Sequence, residues 1–162
     1  MILIALGSSL PFSGLDSQEI VLRAFSALDR IGRLNRRSRL FETPAWPDPA
    51  DPPFVNAAAA IETGLAPEAL LAALHAVEAG FGRRRSARNA PRTLDLDLLA
   101  YGEERRDGDG LVLPHPRLSE REFVLAPLAD IAPDWPVPGT GRTVAETLAA
   151  LPARSARPIG EK

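Results

Sequence analysis

Residues 93–101, with the sequence TLDLDLLAY, place two carboxylates inside an otherwise apolar segment. On an extended strand alternate residues share a face, so Asp95 and Asp97 project to one side while the neighbouring leucines project to the other. An ionised carboxylate that leaves water must find hydrogen-bond donors, a cation or a metal. The segment therefore predicts a strand with one face in the core and one face that carries a site.

The ten residues before this segment, 83–92, include five arginines and no acidic residue. Paired carboxylates beside arginines suit Mg²⁺-dependent phosphate chemistry, because Mg²⁺ binds one or two carboxylates and completes its octahedron with phosphate oxygens. Two such ions can stabilise both ends of an in-line displacement. Arginine forks match phosphate oxygens and oppose charge on a transferred group. The alternative, a solvated face whose carboxylates pair with the arginines, stays open at this point.

Length and composition limit the classes of protein to which the chain can belong. A chain of 162 residues predicts a single domain spanning 1–162, and its 45% hydrophobic and 25% charged residues are typical of soluble globular proteins. A net charge of −2 argues against a general polyanion binder. The chain has no cysteine, which excludes disulfides, thiolate metal sites and a cysteine nucleophile. The N-terminal run MILIAL is too short to cross a membrane and predicts a buried first strand.

Capping and turn signals divide the chain into alternating elements. Alanine favours a helix in FVNAAAAIET, but its length and flanking turns favour a strand, which is our prediction. After the first strand, the predicted elements are a helix from Asp16 to Gly32, strands at 36–43 and 54–63, a helix from Pro67 to Gly80, and the strand at 93–101. This order predicts an α+β fold with a ferredoxin-like split βαβ core and a mainly antiparallel sheet flanked by helices.

Three further segments complete the predicted organisation. Residues 44–53 contain five prolines, which forbid regular structure and predict a stiff extended loop. Ser119 with Glu122 predicts the cap of a short helix. Thr143 with Glu146 predicts the cap of a last helix.

Several single residues are candidates for ligand contact. Asn56 lies in an apolar strand, where its amide can both donate and accept, as recognition of a heterocycle edge demands. Trp46 lies among prolines, where a planar ligand would use it. His115 has a backbone restricted by two prolines, whereas His75 lies beside an apolar helix stripe and is expected to be structural. The chain contains neither a Walker A loop nor a GxGxxG motif, so P-loop and Rossmann folds lack support.

Longer stretches carry a family resemblance. APRTLDLDLLAYG closely resembles the signature of the 6-hydroxymethyl-7,8-dihydropterin pyrophosphokinase family. ALGSSL is similar to that family's opening strand and loop, FETPAW and PPFVNAAAAIET to its pterin-side segments, and LPHPRLSEREFVLAPLADIAP to its C-terminal block. Together these stretches extend from Met1 to about Pro133. Ser9 stands where the family usually has Asn, which predicts the loss of a loop contact.

The resemblance implies transfer of the β,γ-pyrophosphoryl group of ATP to the hydroxymethyl oxygen of the pterin, giving AMP and the pterin diphosphate. It implies ATP as co-substrate and two Mg²⁺ ions as cofactors, with Asp95 and Asp97 as metal ligands. The implied catalytic residues are Arg83, Arg92, Asp95 and Asp97. The implied nucleotide-binding residues are Glu78, Arg85, Arg88, His115 and Arg121. The implied pterin-binding residues are Thr43, Pro44, Phe54, Asn56 and Phe123.

The expected partners are small molecules. The resemblance implies a cytoplasmic monomer that binds ATP and the hydroxymethyl dihydropterin, and neither nucleic acid nor a membrane. The alternative is a ferredoxin-like nucleic-acid-binding module. Carboxylates beside the arginines disfavour it, because they would repel a phosphate backbone, and the chain lacks the aromatic-rich segment that stacks bases.

Overall fold

A computed structural model describes residues 1–84, 91–152 and 154–160. The main elements are β1 (Ile2–Ser8), α1 (Ser17–Ile31), β2 (Arg33–Arg37), β3 (Phe41–Thr43), β4 (Phe54–Glu62), α2 (Pro67–Gly80) and β5 (Asp95–Tyr101). The later elements are β6 (Arg106–Asp107), β7 (Val112–Leu113), α3 (Glu122–Ile131), β8 (Pro136–Val137), β9 (Arg142–Thr143), α4 (Val144–Ala150) and β10 (Arg157–Pro158). No helix within these described ranges is long and apolar enough to cross a membrane.

The main sheet joins six strands of the described chain, in the order β10, β3, β4, β1, β5, with β2 also on the outer edge of β4. Every pairing in it is antiparallel. Helix α1 connects β1 to β2, and α2 connects β4 to β5. These connections and this strand order are the predicted ferredoxin-like split βαβ arrangement, so the predicted fold class is confirmed.

Both faces of the sheet are covered. On one face Ile4 and Leu6 pack in a cluster with residues of α1 and α2. On the other face Leu3 packs in a cluster with residues of α3. The central strands β1 and β4 therefore have two core faces, which explains why both are nearly continuous apolar runs. The alanine run is a strand as predicted, and Ala58 and Ala60 are buried in the cluster that contains α3.

The prediction of one strand at 36–43 is wrong. The segment forms β2 and β3, which pair with opposite halves of β4. Ser38 separates them: its N–H donates to Ala58 O at 2.9 Å, and its hydroxyl accepts from Ala58 N–H at 2.8 Å. The Arg39 side chain then leaves the sheet and forms an ion pair with Asp130 of α3 at 2.9 Å. Competition from side-chain hydrogen bonds thus interrupts the strand.

Two of the three predicted helix caps are confirmed. Asp16 Oδ1 accepts from Glu19 N–H at 2.9 Å, and Thr143 Oγ1 accepts from Glu146 N–H at 3.2 Å. The predicted cap by Ser119 is wrong: Ser119 lies in a short 3₁₀ turn, Leu118–Glu120, and no side chain of the described part of the chain caps α3. The helix itself is present from Glu122.

Candidate active site

Asp95 and Asp97 lie on one face of β5, opposite Gly7 and Ala5 of β1. Leu96 and Leu98 point to the other face and are buried in the cluster that contains α1 and α2. The alternation predicted for this strand is therefore present, with one core face and one face that carries the carboxylates.

Asp95 is paired with two arginines from the predicted cluster. Arg83 Nη1 lies 2.5 Å from Asp95 Oδ1, and Arg92 Nη1 lies 3.2 Å from Asp95 Oδ2. Each carboxylate oxygen therefore accepts from, or lies beside, one guanidinium. The arginines reach the carboxylate from opposite ends of the cluster, so this pairing holds the two ends together.

Asp97 has a different electrostatic environment. Its closest ion-pair distance to a described residue is 4.0 Å, from Oδ2 to Arg121 Nη1. Burial, reinforced by the neighbouring charge of Asp95, raises the pKa of Asp97 to about 7, although Arg121 acts in the opposite direction. The two carboxylates are thus unequal: Asp95 is balanced by close guanidiniums, and Asp97 is balanced less completely.

Glu78 connects α2 to the outer edge of β5. Its side chain is buried, and its Oε2 accepts from Leu96 N–H at 2.9 Å and from Arg83. Burial raises the pKa of Glu78, and the hydrogen bond from Leu96 partly offsets the effect. Gly82 follows with a φ of 71°, and a Cβ there would lie 2.2 Å from the ring of Phe12, so this turn requires glycine. Arg83 is thereby directed toward Asp95.

The loop after β1 holds the other end of the arginine cluster. Ser9 N–H and Leu10 N–H donate to Arg92 O at 2.9 and 3.1 Å, and Ser9 Oγ accepts from Arg92 N–H at 3.1 Å. The resemblance predicted the loss of a loop contact at Ser9; here this serine is buried and bonds both the N–H and the C=O of Arg92.

Two cavities adjoin the carboxylate pair, and together they contain every described residue of the predicted site. The smaller, about 490 Å³, is lined by the predicted pterin-binding residues Thr43, Pro44, Phe54, Asn56 and Phe123. It is also lined by Arg121, which the resemblance associates with the nucleotide. The larger, about 820 Å³, contains Glu78. The residues that line both are Arg83, Arg92, Asp95, Asp97 and His115. The predicted residues Arg85 and Arg88 lie outside the described part of the chain.

The smaller cavity combines a buried amide with exposed aromatic rings. Asn56 Nδ2 donates to Thr43 Oγ1 at 2.7 Å, which fixes the orientation of the amide. A Cβ at Gly7 would lie 3.1 Å from Asn56 Oδ1, so the glycine leaves room for this side chain. Phe123 is 40% exposed, and its ring centroid lies 5.5 Å from the Arg121 guanidinium. This arrangement suits a flat ligand with a polar edge.

Sequence reasoning missed part of the lining. His75, expected to be structural, is exposed and lines the larger cavity. Trp46 is 67% exposed and lines the smaller one, as its position among prolines suggested. Glu122 and Ser155 also line the smaller cavity. No local signal identifies Ser155, because it reaches the cavity only through the tertiary fold.

Comparison with known proteins identifies the family. Residues 3–133 match the family described as 7,8-dihydro-6-hydroxymethylpterin-pyrophosphokinase (HPPK). The chain belongs to this family. A Pseudomonas aeruginosa protein named 2-amino-4-hydroxy-6-hydroxymethyldihydropteridine pyrophosphokinase is 45% identical over 152 residues, which cover 92% of this chain and 90% of that protein. A Methylorubrum extorquens protein of the same name is 46% identical over 119 residues, or 74% of each chain.

Solved structures agree on the fold. A Plasmodium falciparum HPPK-DHPS structure matches 91% of this chain with a TM-score of 0.65 and 13% sequence identity. This chain covers 43% of that longer protein. At this identity the match supports the fold, and the pyrophosphokinase relatives carry the family assignment.

Proposed function

We propose that the two adjoining cavities bind the two substrates of a pyrophosphoryl transfer and that the reaction takes place beside Asp95 and Asp97. The chain is an ATP-dependent pyrophosphokinase of folate synthesis, which transfers the pyrophosphoryl group of ATP to the hydroxymethyl group of 6-hydroxymethyl-7,8-dihydropterin. AMP and the pterin diphosphate are the products. The observation that carries the proposed arrangement is that both cavities share the carboxylate pair and its arginines.

We assign ATP to the larger cavity and the pterin to the smaller one. The larger cavity is lined by Glu78 and His115, which the family resemblance associates with nucleotide. The smaller contains the Asn56 amide between Phe54 and Phe123, and these groups suit the hydrogen-bonding edge and flat faces of a pterin. The assignment places the transferred group at the residues common to both cavities, which a direct transfer between two bound substrates requires.

Asp95 and Asp97 have the donor chemistry of a Mg²⁺ site. The described residues contain no group of three or more His, Cys, Asp or Glu side chains that could hold a metal. Two carboxylates on one face fit Mg²⁺ nevertheless, because this ion takes few protein ligands and fills its remaining positions with water and phosphate oxygens. We propose that this pair holds two Mg²⁺ ions, which would neutralise phosphate charge when bound.

Arg83 and Arg92 are proposed to act on the transferring group. Asp95 holds both guanidiniums, Glu78 holds Arg83, and Ser9 holds the Arg92 backbone. Donors held in place before the reaction stabilise developing charge without reorganising during it. Phosphoryl transfer depends chiefly on such positioning and charge stabilisation, so the reaction does not require a strong base beside the arginines.

The decisive assay incubates the purified chain with ATP, Mg²⁺ and 6-hydroxymethyl-7,8-dihydropterin. Because the β,γ-pyrophosphoryl group is transferred as a unit, AMP should accumulate in equal amount to the pterin diphosphate. ADP as the product, or ATP turnover that does not depend on the pterin, would contradict the proposal. Reactions without Mg²⁺ and without pterin are the controls.

The remaining family expectations are also proposals. We propose that the chain acts as a cytoplasmic monomer and binds no nucleic acid. The carboxylates beside the arginine cluster support the last point, because they would repel a phosphate backbone. Sedimentation velocity and an electrophoretic shift assay test the oligomeric state and the absence of nucleic-acid binding.

A further inference from the structure

The C-terminal residues 154–160 return to the main sheet after α4 and lie beyond the residues that match the family. Their strand β10 pairs with β3, with Pro158 opposite Phe41. Ile159 N–H donates to Leu40 O at 2.8 Å, and the Ile159 side chain packs against the core cluster that contains α1 and α2. The segment is therefore anchored at the edge of the sheet beside Thr43, one wall of the smaller cavity.

The same segment holds the opposite wall through Glu122. The two Glu122 oxygens each accept from Ser155 N–H at 2.8 Å, Ser155 Oγ donates to Glu122 Oε2 at 3.0 Å, and Ala156 N–H donates to Oε1 at 3.1 Å. Hydrogen bonds to a carboxylate are stronger than those between neutral groups. Glu122 is the first residue of α3 and stands between Arg121 and Phe123 in the chain. Both Glu122 and Ser155 line the cavity.

We propose that residues 154–160, acting through Glu122, position the start of α3 so that Phe123 faces the pterin. Two observations require such a support. Among the described residues no side chain caps the start of α3, and the Phe123 ring is too exposed for core packing to fix it. Since β10 is bonded to β3 and Ser155 to Glu122, the segment sets the separation of the two walls. Glu122 and Ser155 are thus positioning residues for pterin affinity. This inference rests on the proposed function of the smaller cavity.

The test compares Glu122→Ala, a chain ending at Pro152, and the two changes combined. Each should raise the KM for the pterin by about fivefold or more, because the start of α3 is then no longer ordered in the free enzyme and must be ordered when the pterin binds. The KM for ATP should rise less than the KM for the pterin, and kcat should change less than about twofold, since Arg83 and Arg92 are held elsewhere and Arg121 alone among the implied nucleotide-binding residues adjoins Glu122 in the chain. The combined variant should be no worse than the shortened chain alone, because the shortened chain has already lost the Ser155 and Ala156 partners of Glu122.

Glu146→Ala is the matched control. It removes a capping carboxylate from α4, on the same side of the sheet, and should lower the melting temperature without changing the pterin KM. Glu122→Gln, which keeps one acceptor oxygen, should recover part of the pterin affinity. An unchanged pterin KM in Glu122→Ala, an equal rise in both KM values, or additive losses in the combined variant would overturn the inference.

Hydrogen exchange separates this inference from the function on which it rests. Amides 123–125 should exchange faster in the shortened chain than in the full one, while amides of β1 should not change. Equal exchange in the first turn of α3 would overturn the positioning role. A wild-type chain that makes no AMP would instead contradict the proposed function, and the exchange comparison would still decide whether the C-terminal segment holds α3. Should the shortened chain not fold, Glu122→Gln and Glu122→Ala supply the same comparison.

Discussion

Replacing Glu78 by alanine tests how α2 is joined to the edge of β5. The Glu78 side chain is 8% exposed and accepts from Leu96 N–H at 2.9 Å. Loss of this acceptor leaves a buried N–H unpaired, which costs about 1–3 kcal/mol. Arg83 is 23% exposed and keeps Asp95 as a partner, so the lost ion pair adds only about 0–1 kcal/mol after solvent screening. We expect the free energy of unfolding to fall by about 1–4 kcal/mol.

Glu78→Gln should be much milder, because the amide keeps a carbonyl oxygen for Leu96 N–H. Its effect should also depend on pH. Burial raises the pKa of Glu78 above its ordinary 4.5, so the folded chain holds this proton more tightly than the unfolded chain. The stabilisation from that proton is fully present below pH 4.5 and is lost as the pH rises through the raised pKa. The free energy of unfolding of wild type should therefore fall relative to that of Glu78→Gln as the pH increases from 4.5 through the raised pKa of Glu78.

Urea denaturation at about pH 4, about pH 5 and about pH 8 measures the free energy of unfolding of wild type, Glu78→Ala and Glu78→Gln. In thermal unfolding, each kcal/mol should shift the melting temperature by about 2–4 °C in a domain of this size. Glu103→Gln, on the exposed turn after β5, controls for removal of a negative charge. Equal losses in Glu78→Ala and Glu78→Gln would show that the ion pair, and not the Leu96 hydrogen bond, joins the two elements. A wild type that gains stability over Glu78→Gln at higher pH would refute the direction of the pKa shift.

Four other variants test the proposed site. Asp97→Asn should bind the pterin nearly normally in calorimetry but lose most turnover, with partial recovery at higher Mg²⁺ or with Mn²⁺; full activity with unchanged metal dependence would remove Asp97 from the metal site. Arg83→Ala should lower kcat by about 100-fold or more, whereas a raised KM for ATP with normal kcat would make Arg83 a ground-state binding group. Asn56→Leu should weaken the pterin selectively, and equal weakening of a non-hydrolysable ATP analogue would indicate a role in the fold. Trp46→Phe should abolish quenching of tryptophan fluorescence by the pterin; quenching lost in Trp135→Phe instead would exclude Trp46 from the pterin side.

The features that the sequence predicts correctly depend on short-range geometry. The alternation along β5 follows from the two-residue period of a strand, and it places Asp95 and Asp97 on one face wherever the strand lies. The caps at Asp16 and Thr143 join residues three positions apart, so backbone geometry alone brings the partners together. The strand order follows the split βαβ pattern, in which each helix connects two strands that a third strand separates: β4 lies between β1 and β2, and β1 lies between β4 and β5.

Long-range partners explain what the sequence did not reveal. Ser119 and Glu122 have the same spacing as the residues of the two capping boxes that form, at Asp16 and Thr143. The Glu122 carboxylate instead binds Ser155, 33 residues away. Ser38 interrupts a predicted strand because its hydroxyl finds Ala58 on β4, 20 residues along the chain. Nothing in a local pattern distinguishes a polar side chain that bonds its own turn from one that bonds a distant segment.

The two interpretations of the aspartate pair, an ion-paired face and a metal site, are compatible in this structure. Around β5 the carboxylates of Glu78, Asp95 and Asp97 meet the guanidiniums of Arg83, Arg92 and Arg121. When all six groups are ionised their charges balance, so these groups offer little net attraction to a nucleotide that brings about four negative charges, and like charges in close contact near a protein surface repel by several kcal/mol. We therefore propose that cations accompany ATP. The less completely balanced carboxylate, Asp97, is where an added cation gains most, and for this reason the metal dependence of Asp97→Asn discriminates between the two interpretations more sharply than substitution of Asp95, which would also release Arg83 and Arg92.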